Sequence, residues 1–320
     1  MIDPLITQSI IFGSLLAMMC VGVTVTYLTT KVPNFAVGDF VTTGIYASAT
    51  AYILWNIKNP YLATPIGFIF GGLVAVVMYL TVLRPLIRRG SSLVMLMIAT
   101  LAVDIIFTGV DLLFIEDTTS LYGVELTHKG FNLYTLFPLG DFTLFGEPGM
   151  LFVAPIALVV MAVSLYFLLN KTKFGVAMRA AIENANLAKT LGINVERVYL
   201  VSWFIAGATA GFAGGFFAIV YATQQNEASL LLVSIFAGSV LGGLGSVYGA
   251  IVGGAIIGAG QVYITGSLVL FFDKVVNPSV GAEVNDFQLG IPLAIMIIAL
   301  LLAPQGLTGV KWSTIVRRKQ

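Results

Sequence analysis

One cysteine and one histidine in 320 residues leave little room for thiol or metal chemistry. Cys20 lies in an apolar run, so no disulfide framework exists and it reads as a packing residue. His128 stands alone, which argues against a histidine metal site or proton relay, and no metal or cofactor is expected. The phosphate-cradling pattern G-x-x-x-x-G-K-[ST] is missing, so this chain does not hold ATP through a P-loop. Neither H-E-x-x-H nor G-x-S-x-G occurs, which disfavours a hydrolase; no catalytic residue is expected, and the chain does not read as an enzyme. Charge is scarce as well. Only 10% of the residues are Asp, Glu, Lys or Arg, the net charge is +1, and the cations build no continuous basic face, so no nucleic-acid partner is expected. The amino terminus, MIDPLITQ, lacks a positive n-region, and the apolar stretch behind it is too long for a signal-peptide core; it should remain as a transmembrane helix.

What is abundant is apolar residue. With 58% hydrophobic residues and a mean hydropathy of +0.98, the chain cannot present a water-soluble surface, and the lipid bilayer is its first expected partner. Apolar segments fall at about 5–29, 36–56, 62–82, 91–115, 150–170, 197–222, 228–246, 247–271 and 288–303. A helix needs roughly 20 residues to cross the hydrocarbon, whereas a β-barrel would show shorter alternating segments. The fold class is therefore all-α: a polytopic transmembrane helix bundle of about eight or nine spans, forming one membrane domain over residues 1–320. The glycine-rich stretch 228–260 is compatible with one broken or re-entrant helix, allowed at membrane depth where protein or a water-filled cavity covers it.

Three stretches hold most of the cations: Arg84, Arg88 and Arg89; the segment 171–197; and Lys311, Arg317, Arg318 and Lys319. An excess of Lys and Arg marks the cytoplasmic side. The acidic loops 116–148 and 272–287 then lie outside, with the amino terminus outside and the carboxyl end inside, which requires an odd number of crossings. Within 116–148, alternating polar and apolar residues with glycine breaks predict a short hairpin on the outer surface.

Four places could carry function. Asn34, Gly38 and Asp39 follow Pro33 between two apolar segments; an Asn and an Asp near a helix break either face the bundle interior or cap a helix at the interface. Gly245, Gly249, Gly253, Gly254 and Gly258, like Gly207, Gly211 and Gly215, have the spacing of close helix packing, while Ser239, Gly242, Gly243 and Gly245 could also line a path through a broken helix. Asp104 and Asp111 share a helix face; Asp111 lies near the outer end, within reach of water, and Asp104 is a candidate for proton coupling or an internal hydrogen-bond network. In 171–197, Gly192 should end one helix and Asn194 cap the next at Val195, with Ala177, Ala181, Ala185 and Ala188 forming a small-residue stripe that another surface could approach.

Asn34-Phe-Ala-Val-Gly-Asp-Phe40, Thr172-Lys-Phe-Gly-Val-Ala-Met-Arg-Ala-Ala-Ile-Glu-Asn184 and Ser239-Val-Leu-Gly-Gly-Leu-Gly-Ser-Val-Tyr-Gly249 together resemble the branched-chain amino acid ABC transporter permease family, more closely its LivH-type subunit. Val37 stands where that family often has histidine. The resemblance implies an ABC importer permease fold in the cell (plasma or inner) membrane, with the coupling segment at about 171–197. Its implied partners are a second homologous permease, two cytoplasmic ABC ATPases and an extracytoplasmic substrate-binding protein. It also implies that the coupling segment docks on an ATPase through Phe174, Gly175, Arg179, Glu183, Asn184, Ala188 and Gly192. Asn186 to Gly192 matches the importer E-A-A-x-x-x-G loop at Ala188 and Gly192 and lacks its glutamate and first alanine. Branched-chain amino acids are the implied cargo. An ion-coupled secondary transporter, or a urea or amide permease or channel, stands as the alternative.

Overall fold

The computed structural model describes residues 3–128, 132–136, 138–224, 226–275, 287–302 and 306–309. Helix α1, Pro4–Thr30, begins where Asp3 accepts the Leu5 N–H at 2.9 Å and Pro4 supplies a preset φ. Lys31, at φ 57°, ends it. Nearly the whole length of α1 is buried, which suits a helix apolar on every face at the centre of a bundle. Around it run α2 (Val37–Leu54), α3 (Thr64–Met78), α4 (Arg84–Arg88), α5 (Leu93–His128), α6 (Met150–Lys171), α7 (Lys173–Glu183), α8 (Ala185–Thr190), α9 (Val195–Val220), α10 (Glu227–Gly242), α11 (Val247–Val275) and α12 (Gly290–Leu302). A π turn, Tyr79–Leu83, joins α3 to α4 where Pro85 has no N–H for the Thr81 carbonyl.

Each of the nine apolar segments of the sequence is met by a helix, α3 and α4 counting together. Among the described residues six helical stretches are long and apolar enough to cross a membrane, while α2, α10 and α12 are shorter. The segment expected at 228–246 stops at Gly242, where Gly243 adopts φ +97°, and α11 starts four residues later; 228–260 is thus a helical hairpin with a tight turn. Helix α5 continues past its expected end at 115, because Glu116 and Asp117 lie on its exposed face and extend it beyond the apolar run. The expected hairpin is present as β2–β3, Thr143–Leu144 with Glu147–Pro148, turning through Phe145 and Gly146 at positive φ. A second pair, β1 (Thr135–Leu136) with β4 (Thr223–Gln224), is non-local. The carboxyl-terminal cations and residues 276–286 lie outside the described residues.

Contacts at the two ends of the bundle agree with the charge reading. At one end Glu196, in the first turn of α9, pairs with Arg84 at 2.6 Å and with Arg88, so the 84–89 and 171–197 segments lie together. At the other, Tyr61 donates to Asp141 at 2.5 Å, Leu139 N–H to the Ala218 carbonyl at 3.1 Å, and β1 pairs with β4. The packing also repeats. Helix α1 lies along α11 as α9 lies along α3, α2 packs on α3 as α10 packs on α11, and α2 and α10 touch each other. Since α1 runs towards the cation-rich end and α9 away from it, the two halves form an inverted repeat. Glycine makes both long contacts close: a Cβ on Gly71 would sit 2.5 Å from the Gly207 carbonyl oxygen, and one on Gly254 would sit 2.6 Å from the Ala17 Cα.

Candidate functional site

Between α1 and α2 the chain leaves the helix but stays buried. Val32, Asn34 and Ala36 are fully enclosed. Asn34 Oδ1 accepts the Ala36 N–H at 3.1 Å, shaping the turn into α2, while Phe35 N–H donates to Thr100 Oγ1 at 3.3 Å and its ring stacks on Phe236 at 4.9 Å. Non-helical backbone at this depth needs such cover. Gly38 then presses its bare Cα against the backbone of Ala228, where a Cβ would overlap, so the first turns of α2 and α10 meet. Asp39, wholly buried, leaves both carboxylate oxygens without a hydrogen bond among the described residues, as does Asn34 Nδ2. Its carboxyl lies beside that of Asp104, eleven residues or about 17 Å along α5 from the cation-rich end. Two helix starts and two carboxyls therefore converge near mid-depth. Asp111 is 8% exposed and lines a cavity of about 380 Å3 with Tyr46 and Thr50.

The other expected path residues are elsewhere. Ser239 is eleven residues, about 17 Å, along α10 from Ala228, and donates to the Cys20 carbonyl at 3.2 Å, tying α10 to α1. Gly242 abuts Gly249, and Thr308 Oγ1 donates to the Gly242 carbonyl at 3.0 Å. Gly243, at a positive φ open to glycine, ends α10, and Gly245 is exposed in the turn. Here glycine serves packing and turning. Cys20 is buried, its thiol directed at the Ile235 carbonyl, as a packing residue would be.

The 171–197 segment folds into two short helices and a turn at the cation-rich end. Thr172 accepts the Gly175 N–H at 3.2 Å to start α7, Asn184 accepts from Asn186 and Leu187 at 3.1 and 3.0 Å to start α8, and Asn194 accepts from Arg197 at 3.1 Å to start α9. Gly192, at φ +81°, ends α8 as expected, and Asn184 adds a break that the sequence pattern does not announce. Gly175 has no Cβ to collide with the Leu169 backbone, and the Arg179 guanidinium donates to the Leu169 carbonyl, placing a cation on the end of α6. The alanine stripe faces inward. Ala181 and Ala188 are buried with Met178, Val195 and Val198, and Phe174, Ala177 and Ala185 pack against that cluster, so the surface approaching the stripe is the chain's own bundle. Glu183, Asn184 and Gly192 remain exposed. The residues overlooked are apolar and outward: Leu187 is 57% and Leu191 72% exposed, one turn apart. Their i, i+4 spacing within a polar stretch was the available signal.

Comparison with known proteins agrees with this architecture. Residues 5–300 match the family described as "Branched-chain amino acid transport system / permease component". The chain is 41% identical to the "Probable branched-chain amino acid transport permease protein LivH" of Methanocaldococcus jannaschii, over 97% of this chain and 93% of that one. It is 25% identical to the "High-affinity branched-chain amino acid transport system permease protein LivH" of Salmonella typhimurium and 24% identical to the protein of that name in Escherichia coli, over 94% of both chains in each comparison. A multi-pass helical chain that aligns end to end with these permeases belongs to the branched-chain amino acid transport system permease family.

Proposed function

We propose that the chain is the membrane-spanning subunit of a binding-protein-dependent ABC importer for branched-chain amino acids in the cell membrane, working with a second homologous permease, two cytoplasmic ATPases and an extracytoplasmic binding protein. The observation that carries this reading is the α7–α8 elbow. It is capped at every start by Thr172, Asn184 and Asn194, seated by Met178, Ala181 and Ala188 on the bundle, and shows leucine outward. A movement imposed on so stiff a lever reaches α6 and α9 instead of being absorbed in a loop. Phe174, Gly175, Arg179 and Ala188 fix the lever to the bundle, whereas Glu183, Asn184, Leu187 and Leu191 meet the ATPase, with Gly192 turning the chain back. At mid-depth, Asn34, Gly38 and Asp39 shape the translocation path, while Ser239, Gly242, Gly243 and Gly245 set the α10–α11 hairpin that borders it. Residues 1–320 act as one membrane domain without catalysis of their own.

The test is uptake of labelled leucine, isoleucine and valine, with urea for comparison, in cells expressing the chain and its neighbouring genes. Uptake should stop on ATP depletion and persist under a protonophore while ATP is maintained. Collapse with the proton gradient despite intact ATP would overturn the reading. Full uptake in both Asn34→Ala and Asp39→Asn would remove those residues from the path.

A further inference from the structure

At the end of the bundle opposite the cations, a cavity of about 500 Å3 opens between α1, α9, α10 and α11, with the β1–β4 pair at its rim. Its lining is rich in neutral hydrogen-bonding groups, among them Gln8, Gln224, Ser234, Gln261 and Thr265, and among the described residues Glu227 is its one charged side chain. Glu227 and Ser234, seven residues apart, share a face of α10; Gln261 and Thr265, four apart, share a face of α11. Gln261 is 14 residues from the start of α11, about 21 Å from the cation-rich end and at the middle of that helix. One turn deeper, Gly258 packs against Gly13 of α1 and closes the floor.

The hydrogen bonds within the wall are incomplete in a telling way. Ser234 Oγ donates to Gln261 Oε1 at 2.7 Å, and Thr265 Oγ1 to the Gln261 carbonyl at 2.6 Å. Both oxygens of Gln261 are used, and its amide Nε2, which makes no hydrogen bond among the described residues, stays open to the cavity that the residue fronts. Gln8 is left similarly, its Oε1 taken by the Tyr221 hydroxyl at 3.1 Å. A donor left open to a polar cavity can serve an acceptor that enters it. An anion near Glu227 is repelled unless it carries its own positive charge. Phe12, Leu231 and Val262 supply an apolar side to the same space.

We propose that this cavity receives a zwitterionic α-amino acid with an aliphatic side chain. Glu227 takes the ammonium, the Gln261 amide donates to the carboxylate, and Phe12, Leu231 and Val262 enclose the side chain. The inference rests on reading the chain as an amino acid permease. A carboxylic acid lacking the ammonium meets Glu227 unpaired, and an amine lacking the carboxylate leaves the Gln261 donor open.

The experiment is saturation-transfer NMR with leucine, isoamylamine and 4-methylpentanoate on the full chain, co-purified with its partner permease in nanodiscs, without binding protein. Leucine should bind saturably and at least ten-fold more tightly than either fragment, and Gln261→Leu and Glu227→Gln should each weaken it at least five-fold with melting temperature unchanged. If Gln261→Leu lowers the melting temperature, Glu227→Gln decides alone. Leucine binding unchanged in the well-folded variants, or equal binding of the fragments, overturns the proposal. Absence of leucine binding in a preparation whose cells show ATP-dependent leucine uptake overturns the cavity and leaves the transport reading standing. Absence of uptake overturns the transport reading itself.

Discussion

Replacing Leu187 and Leu191 together by serine tests the proposal that the outward face of the lever meets an ATPase. These side chains are 57% and 72% exposed, so most of their surface is still open to cover. Burying a whole leucine side chain contributes about 1.5–3 kcal/mol, which scales here to about 1–2 kcal/mol for each and about 2–4 kcal/mol for the pair. Ordering side chains at an interface offsets part of that, so the lower figure, about 2 kcal/mol or a roughly 30-fold weaker dissociation constant, is the expectation. The assay is a binding isotherm of the purified ATPase subunits on nanodiscs holding the permeases, with the melting temperature measured in parallel. Melting should be unchanged, because neither leucine is seated in the bundle and exposed substitutions of this kind stay within about 0.5 kcal/mol. A dissociation constant within a factor of two of the unsubstituted protein would refute the argument that the outward face of α8 is the docking surface.

Ala188→Leu acts in the opposite sense: at 1% exposure beside Met178, Val195 and Val198 it overpacks the lever's own seat by about 1–3 kcal/mol, so melting should fall while each folded molecule binds ATPase as before. Gly254→Ala would place its Cβ 2.6 Å from the Ala17 Cα and 2.8 Å from the Cys20 Sγ, and should lower the melting temperature, whereas Gly109→Ala, with nothing within 4 Å, should leave it level or slightly raised; equal effects would count against close α1–α11 packing. Glu196→Gln removes the anion shared by Arg84 and Arg88, but side-chain exposures of 43%, 34% and 58% limit the loss to about 1 kcal/mol or less, shrinking further in high salt. A loss independent of salt would show that the arginines act through packing.

What could be read from the sequence was local or driven by hydropathy. Nine apolar runs became nine helices, and Gly192 and Asn194 behave as their chemistry requires, because a left-handed helix end and a side-chain cap are settled within a few residues. Direction was harder. The alanine stripe from Ala177 to Ala188 declares that something comes close and says nothing of what; in the fold the close surface is the bundle, and the outward side falls to leucines within a polar stretch. The inverted repeat was invisible for a related reason: it resides in who neighbours whom, α1 with α11 and α9 with α3, and glycine at the crossing preserves that relation whatever the surrounding residues are. A search for membrane-buried charge finds Asp39 and Asp104, since ionised groups are the costliest to bury. It overlooks Gln8, Ser234 and Gln261, which are neutral, lie on three different helices, and become one polar wall only when the α1–α11 and α10–α11 contacts bring them together. An importer that takes up a zwitterion and must let it go has reason to be built this way: neutral donors can hold a carboxylate without the deep Coulombic trap that a buried cation would make.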